Sequence, residues 1–424
     1  MRMQKFSAVV LPGLCALGLG VSAQAADSDL AAALGGGKVT LSLRTRVEAV
    51  DDKALANDAT ATTFRARLGY ETGVWNHLSA LFEVDQLGVL GADTFNSTRN
   101  GRADRPIIAE PPATDLNQAA LKISIAKDDV VIGRQRLNLD NQRFIGGSAW
   151  RQNEQTFDAL TWRIRRLPST TLTYSYIDNV NRVFGPDPGT PPPDLRSHSH
   201  VLHAALDLKS AGKLSLFGHW FDLRNAPSNS HQNLGFLWTG SHAVGNGWTI
   251  PWSASYVRQQ DYADNPVSYA ARYYQLELGA ARPTWGLRAG VEVLGGDATR
   301  SEHRFQTPLA TLHAFQGWAD KFLTTPPQGL RDTYVAANAR TQGVEAQLAW
   351  HDFRADAVSR SYGTEWDASV GHKFNPHCEL LLKGARYSSR QLFSLCAVPG
   401  NARLTQSIPA CQPSAGIAAS IASV

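Results

Sequence analysis

Residues 38 to 50 read KVTLSLRTRVEAV. Taken alternately, they fall into two sets. Val39, Leu41, Leu43, Thr45, Val47 and Ala49 form one; Thr40, Ser42, Arg44, Arg46 and Glu48 form the other. A β-strand points successive side chains to opposite faces, so this segment has one apolar face and one charged face. The fold turns on which face meets solvent, and on whether the apolar face meets a protein core or a bilayer.

The pattern recurs along the chain. TTFRARLGYE (62–71) sets Phe64, Ala66, Leu68 and Tyr70 against Arg65, Arg67 and Glu71. HLSALFEVD (77–85) sets Leu78, Ala80, Phe82 and Val84 against Ser79, Leu81, Glu83 and Asp85. TLTYSYID (171–178), WGLRAGVEVLG (285–295), QGVEAQLAW (342–350) and GTEWDASVGHKF (363–374) alternate in the same way. Such runs of about 9–12 residues suit tilted strands that cross a hydrocarbon layer. Short connections (TGVWN at 72–76, Gly245-Asn246-Gly247, Arg282-Pro283-Thr284) alternate with long ones over 86–115, 178–197 and 296–331. Trp75, Trp220, Trp248, Trp252, Tyr273, Tyr274 and Trp285 fall near strand ends, as in an aromatic girdle. A periplasmic β-sandwich would also alternate. It fits less well with long strands, no domain break, and a polar face that is ionic with opposite signs on neighbouring strands. The expected fold is all-β: a transmembrane antiparallel up-and-down β-barrel with a polar lumen, short periplasmic turns and long extracellular loops.

Composition is consistent with this. Of 424 residues, 43% are hydrophobic and 18% charged, so the chain is neither disordered nor collagen-like. A net charge of +4 gives no reason to expect nucleic-acid binding. The basic set is 31 Arg and 10 Lys, and arginine keeps its charge when partly buried. Arg2 and Lys5, the apolar run SAVVLPGLCALGLGVSA and Ala23-Gln24-Ala25 predict a Sec signal over 1–25 and a Gram-negative envelope protein. No later run of 18 apolar residues predicts a transmembrane helix, which leaves the outer membrane open. Cys15 leaves with the signal, and the odd count that remains, Cys378, Cys396 and Cys411, all near the C-terminus, is not a disulfide framework for an oxidising compartment.

GRQRLNLDNQRFIGGSAWRQNEQTFDAL (133–160) is the most distinctive segment. It resembles the alginate-export family of outer-membrane porins, as do LRTRVEAVD…TTFRARLGYETG, AFQGWADKF (314–322) and SYGTEWDASVGHKFNP (361–376). The resemblance covers most of residues 38 to 385. It implies a monomeric barrel of about 16–18 strands, with an arginine-lined constriction that passes a polyanion such as alginate. The same conclusion follows from charge alone: arginine rings lower the entry barrier for anions, and a few opposed carboxylates prevent sticking. Arg44, Arg46, Arg65, Arg67, Arg134, Arg136, Arg143 and Arg151 are therefore the candidate lumen cations, with Glu48, Glu71, Glu83, Asp85 and Asp158 as partners. Arg134, Arg143 and Arg151 are favoured because they lie in the motif. The competing reading is that these charges only pair across strands and stiffen the wall.

The barrel is expected over residues 26–390. Residues 391–424 form an atypical tail, because the alternation dissolves after about Tyr387 and the last residue is Val424 rather than an aromatic. Either 392–407 supplies a poor last strand or the closing strand is degraded. RSHSHVLHAALDL (196–208) does not make a metal site, since His198 and His200 share a face that His203 leaves. No G-x-S-x-G is present, so a lipid-hydrolysing barrel is a minor alternative to a passive channel. No cofactor is expected. The expected partners are outer-membrane lipid and lipopolysaccharide, the barrel assembly machinery, and either an anionic polysaccharide or a small anionic solute. An uptake porin for small carboxylate or aromatic nutrients is the second functional reading.

Overall fold

The computed structural model describes residues 23–91, 93–389 and 414–423. Among them, helix α1 (Ala23–Gly35) precedes eighteen strands. These are β1 (Lys38–Asp51), β2 (Ala59–Glu71), β3 (Leu78–Val89), β4 (Ala113–Ile125), β5 (Asp128–Gln135), β6 (Thr156–Ile164), β7 (Thr170–Asn181), β8 (Asp194–Asp207) and β9 (Lys213–Phe221). They continue as β10 (His231–Gly245), β11 (Trp248–Asp261), β12 (Ala270–Arg282), β13 (Trp285–Leu294), β14 (Leu330–Thr341), β15 (Val344–Arg354), β16 (Ser361–Asn375), β17 (Cys378–Ser389) and β18 (Ser414–Ser423). Each pairs antiparallel with the next in sequence, and β18 returns to β1. The ring has no free edge, which is what lipid demands of a sheet.

The alternation resolves as a greasy exterior. Leu41, Leu68 and Leu276 are 55%, 56% and 60% exposed, whereas Arg44 and Arg46 are 9% and 1% exposed. Phe82, Leu121, Leu202, Leu234, Leu278, Leu348, Trp366 and Val370 extend the exposed apolar belt around the ring. Uncharged side chains left outside on this scale are in their low-energy place only in a bilayer. One set of connections is tight: Asn246 and Gly247 (φ 50° and 76°) and Gln342 and Gly343 (φ 43° and 81°) make the left-handed hairpins that match strand twist. Helix α1 docks at that end, with the Gly73 N–H donating to the Ala33 carbonyl at 2.8 Å. The other end carries the long connections, and two of these, 136–155 and 295–329, turn inward.

Two expectations need correction. The last strand is neither missing nor supplied by 392–407, of which nothing is described: it is β18, paired over nine positions with β1 and ten with β17. SAGIAASIAS lacks charge and has only two large residues, so the two-residue period that marks other strands is silent there. The lumen is also not polar throughout. Leu137, Ile145, Phe157, Ile177, Val201, Phe221 and Leu309 form one buried cluster, and Phe144, Phe217, Val257, Tyr273, Leu294 and Phe305 another. These pack the undersides of the two infolded segments against the wall from β6 to β13, leaving open space toward β1 and β17. The leader expected over 1–25 lies outside the described residues as far as residue 22, as do Cys15, Cys396 and Cys411; Cys378 is a free thiol.

Candidate functional site

Segments 136–155 and 295–329 are bonded to each other inside the ring. Gly146 N–H donates to the Leu309 carbonyl at 2.9 Å, Gln155 Nε2 to the same oxygen at 3.0 Å, and Thr311 N–H to the Gln142 carbonyl at 3.1 Å. Only glycine allows this approach at 146, where a Cβ would lie 2.3 Å from Thr311 Oγ1. Gly317, at φ 78° and tight against Glu365, lets the second segment reach β16. There the N–H groups of Trp318 and Ala319 donate to Asp367 (3.2 Å) and Glu365 (2.7 Å).

The arginines of β1 and β2 hold the first segment by its backbone. Arg44 donates to the carbonyls of Ala149 (3.1 Å), Trp150 (3.0 Å) and Arg151 (3.3 Å). Arg46 donates to the Trp150 carbonyl and to Glu110, both at 2.9 Å, and also pairs with Glu48. Arg65 reaches the Gln152 carbonyl at 3.4 Å. Arg67 grips Asp85 twice at 2.6 Å and Glu154 at 2.8 Å, while Arg136 bridges Glu83 and Glu154. Most donors of this ladder are therefore turned toward the protein. Burial raises the Glu110 carboxyl, which Arg46 and Arg151 oppose.

Arg143 is 1% exposed and staples both segments to the wall through Glu292 (2.6 Å), Thr307 and Gln316 (3.3 Å each), with Phe315 beneath it. It does not open onto the channel. Arg134 departs further from expectation. It is paired with Asp158 at 2.7 Å, and register places both on the same face as Ile132 and Leu121, the outer one. The position looked internal because the motif was read as one lumen segment, whereas its first residues still belong to the wall. Glu71 has inward parity but is exposed at the short-turn end of β2, away from the other charges.

What does face open space is a cavity of about 670 Å³ between the infolded pair and the β1–β17 wall. Of the expected residues, Glu48 and Arg151 line it. Sequence reasoning missed the rest. Trp150 stacks on His313 at 4.4 Å between ring centroids. Lys383 Nζ lies 4.4 Å from the Trp150 ring centroid, 3.7 Å from that of Trp318, and 2.8 Å from His313 Nε2. His313 Nδ1 faces Asp320 at 2.7 Å, and Asp320 accepts from Arg151 at 3.1 Å. Burial drives the His313 pKa down to about 4, Asp320 opposing and Lys383 and Arg151 assisting. The ring is thus neutral at pH 7. Its Nδ1–H donates to Asp320, and its Nε2 lone pair accepts from Lys383.

The cavity lining balances Arg151, Arg182, Lys321 and Lys383 against Glu48, Asp51, Asp52 and Asp320. Arg151 and Lys321 (to Asp52, 2.6 Å) are ion-paired. Lys383 and Arg182 have no ion-pair partner among the described residues. Arg182 lies over Phe184 at 4.6 Å, and burial and Arg99 lower its pKa to about 10. Leu55, Ile107, Phe184, Pro191 and Leu323 make the rim apolar. AFQGWADKF carried a signal for Trp318, Asp320 and Lys321, and WRQN one for Trp150; Lys383 had none, because KGARY reads as ordinary strand.

No family model and no curated protein matches this chain. Solved structures do. The chain is similar to OpdK of Pseudomonas aeruginosa, solved with vanillate (TM-score 0.68, 13% identity, 92% of this chain and 98% of that one). It is similar to OccK9 (OpdG) of the same organism (0.69, 15%, with the same coverages) and to Acinetobacter baumannii OccAB2 (0.69, 14%, with the same coverages). The alginate-export resemblance is thereby corrected. The 133–160 run encodes the passage from wall to infolded segment and back, with glycines for close approach and arginine for carbonyl capture, and these demands say nothing about cargo. The fold is that of the outer-membrane porin barrels of the OpdK type, and its exposed apolar belt is the surface a barrel presents to a bilayer.

Proposed function

We propose that this barrel takes up small amphiphilic carboxylates, molecules with an aromatic or apolar body and one anionic group. The observation that carries the reading is Lys383, a cation with no carboxylate partner among the described residues, set between two indoles on the floor of a cavity whose rim is apolar. The lining has no excess charge, so preference rests on where the unpaired cations sit. Arg182 draws the anion at the mouth and Lys383 receives it deeper, while Phe184 and Trp150 offer ring faces to the body. The neighbour solved with vanillate supports this chemistry. Proteoliposome flux tests it. Lys383→Gln removes one charge-assisted contact and is expected to slow vanillate entry about tenfold, while vanillyl alcohol, of the same shape without the charge, enters as before. Equal vanillate flux through wild type and Lys383→Gln refutes the reading.

A further inference from the structure

On the outer face of β12, from the long-loop end downward, stand Arg272, Tyr274, Leu276, Leu278, Ala280 and Arg282. Ten residues at about 3.4 Å, tilted about 45°, span roughly 24 Å of height, the thickness of an outer-membrane apolar band. The two arginines therefore mark the two interfaces. Arg282, at the short-turn end, is satisfied by the Asn246 carbonyl at 3.2 Å and the Trp248 ring at 4.8 Å. Arg272 is not. It stands directly across from Arg258 of β11, the next outward-facing pair beyond the cross-strand pair Tyr256–Tyr274. Both guanidinium groups are exposed, and neither has a hydrogen bond or ion pair among the described residues.

A second pair repeats the arrangement nearby. Ser197 bridges Leu223, and the Arg224 N–H donates to the Arg196 carbonyl at 2.8 Å, so these two exposed arginines are also apposed. Below Arg196 on the same face come His198 and His200, the latter bonded to Tyr174 at 3.0 Å. Asp178 and Asp222 lie beside this pair without forming ion pairs with it. Like charges directly opposite on neighbouring strands repel. Where the same ring opposes Arg331 and Arg354, it neutralises them itself, with Asp356 at 3.6 Å and Asp352 at 2.7 Å. Neither Arg196–Arg224 nor Arg258–Arg272 has an ion-pair partner among the described residues, and Arg258–Arg272 stands at the long-loop end of the apolar band of β12.

We infer that Arg258–Arg272 and Arg196–Arg224 form a binding surface for the phosphorylated glycolipid of the outer leaflet, with the tyrosines below seating its acyl–sugar boundary. The inference rests on the membrane location and is independent of cargo. The test is a titration of the full-length protein in uncharged detergent with purified lipopolysaccharide, read by native mass spectrometry. Saturable binding is expected for wild type, about thirtyfold weaker for R258Q/R272Q and about fivefold weaker for R258Q alone. R282Q, with the same charge removed at the opposite interface, binds as wild type, and R258K/R272K keeps most of the affinity. Single-channel conductance of each variant reports that the barrel has closed, and the single variant decides the matter where the double one does not fold. Undiminished binding by R258Q, a loss equal to that of R282Q, or full competition by inorganic phosphate overturns the proposal.

Discussion

Through His313, acidification from about pH 7 to about pH 5 weakens the hold of the infolded pair on the β17 side of the wall. His313 is the sensor. In place it is neutral, held by burial to a pKa of about 4, with its lone pair toward Lys383, its N–H toward Asp320 and Arg151 one contact beyond. Once released into water it regains the ordinary 6.5. The released state therefore takes up a proton first. The contribution of His313 to the closed state is complete above about pH 6.5 and is lost as pH falls toward 4. Between pH 7 and pH 5 the closed-to-released ratio shifts about twentyfold, or about 2 kcal/mol. Burial raises Asp320, but its hydrogen bond to His313 and the Arg151 charge draw it below its usual range overall, so it titrates beneath this window. In planar-bilayer recording, the step from pH 7 to pH 5 should favour a wider sublevel about twentyfold more in wild type than in His313→Asn, which lacks this proton uptake. An identical pH response in wild type and His313→Asn refutes the reasoning.

Three further outcomes follow from the packing. Arg46→Ala leaves Glu110 buried and Glu48 half-buried without their main partner, which costs about 3–5 kcal/mol, and removes one of the two arginines that hold the Trp150 carbonyl; a lower melting temperature and higher conductance are expected together. Leu276→Arg places a charge midway up the outer face of β12, at a cost of about 2–4 kcal/mol, and should reduce the heat-modifiable folded band on gels after refolding into vesicles. Deleting residues 414–424 strips the ladder partners from β1 and β17, and no heat-modifiable barrel should form.

The wall was legible because its physics is local. In KVTLSLRTRVEAV each side chain reports its own face, so Leu41 and Arg44 could be assigned without any knowledge of their neighbours. The cavity was not, because its groups come from four distant places: Glu48 on β1, Trp150 and Arg151 on one infolded segment, His313 and Asp320 on the other, and Lys383 on β17. Charge pattern also misled in a specific way. Arg44, Arg46 and Arg65 have inward parity, as read, but the sequence does not show that a segment a hundred residues later would lay its carbonyls across them. Arg143 sits in the same distinctive run and is sealed away.

The hydrogen bonds that tie Gly146 and Gln155 to Leu309, and Gln142 to Thr311, bear on how such a barrel can be re-engineered. Neither segment has a shape of its own to transplant. A chimera that grafts 136–155 from another barrel without its companion would carry donors aimed at nothing, and selectivity swaps in this scaffold should succeed only when both segments travel as one cassette.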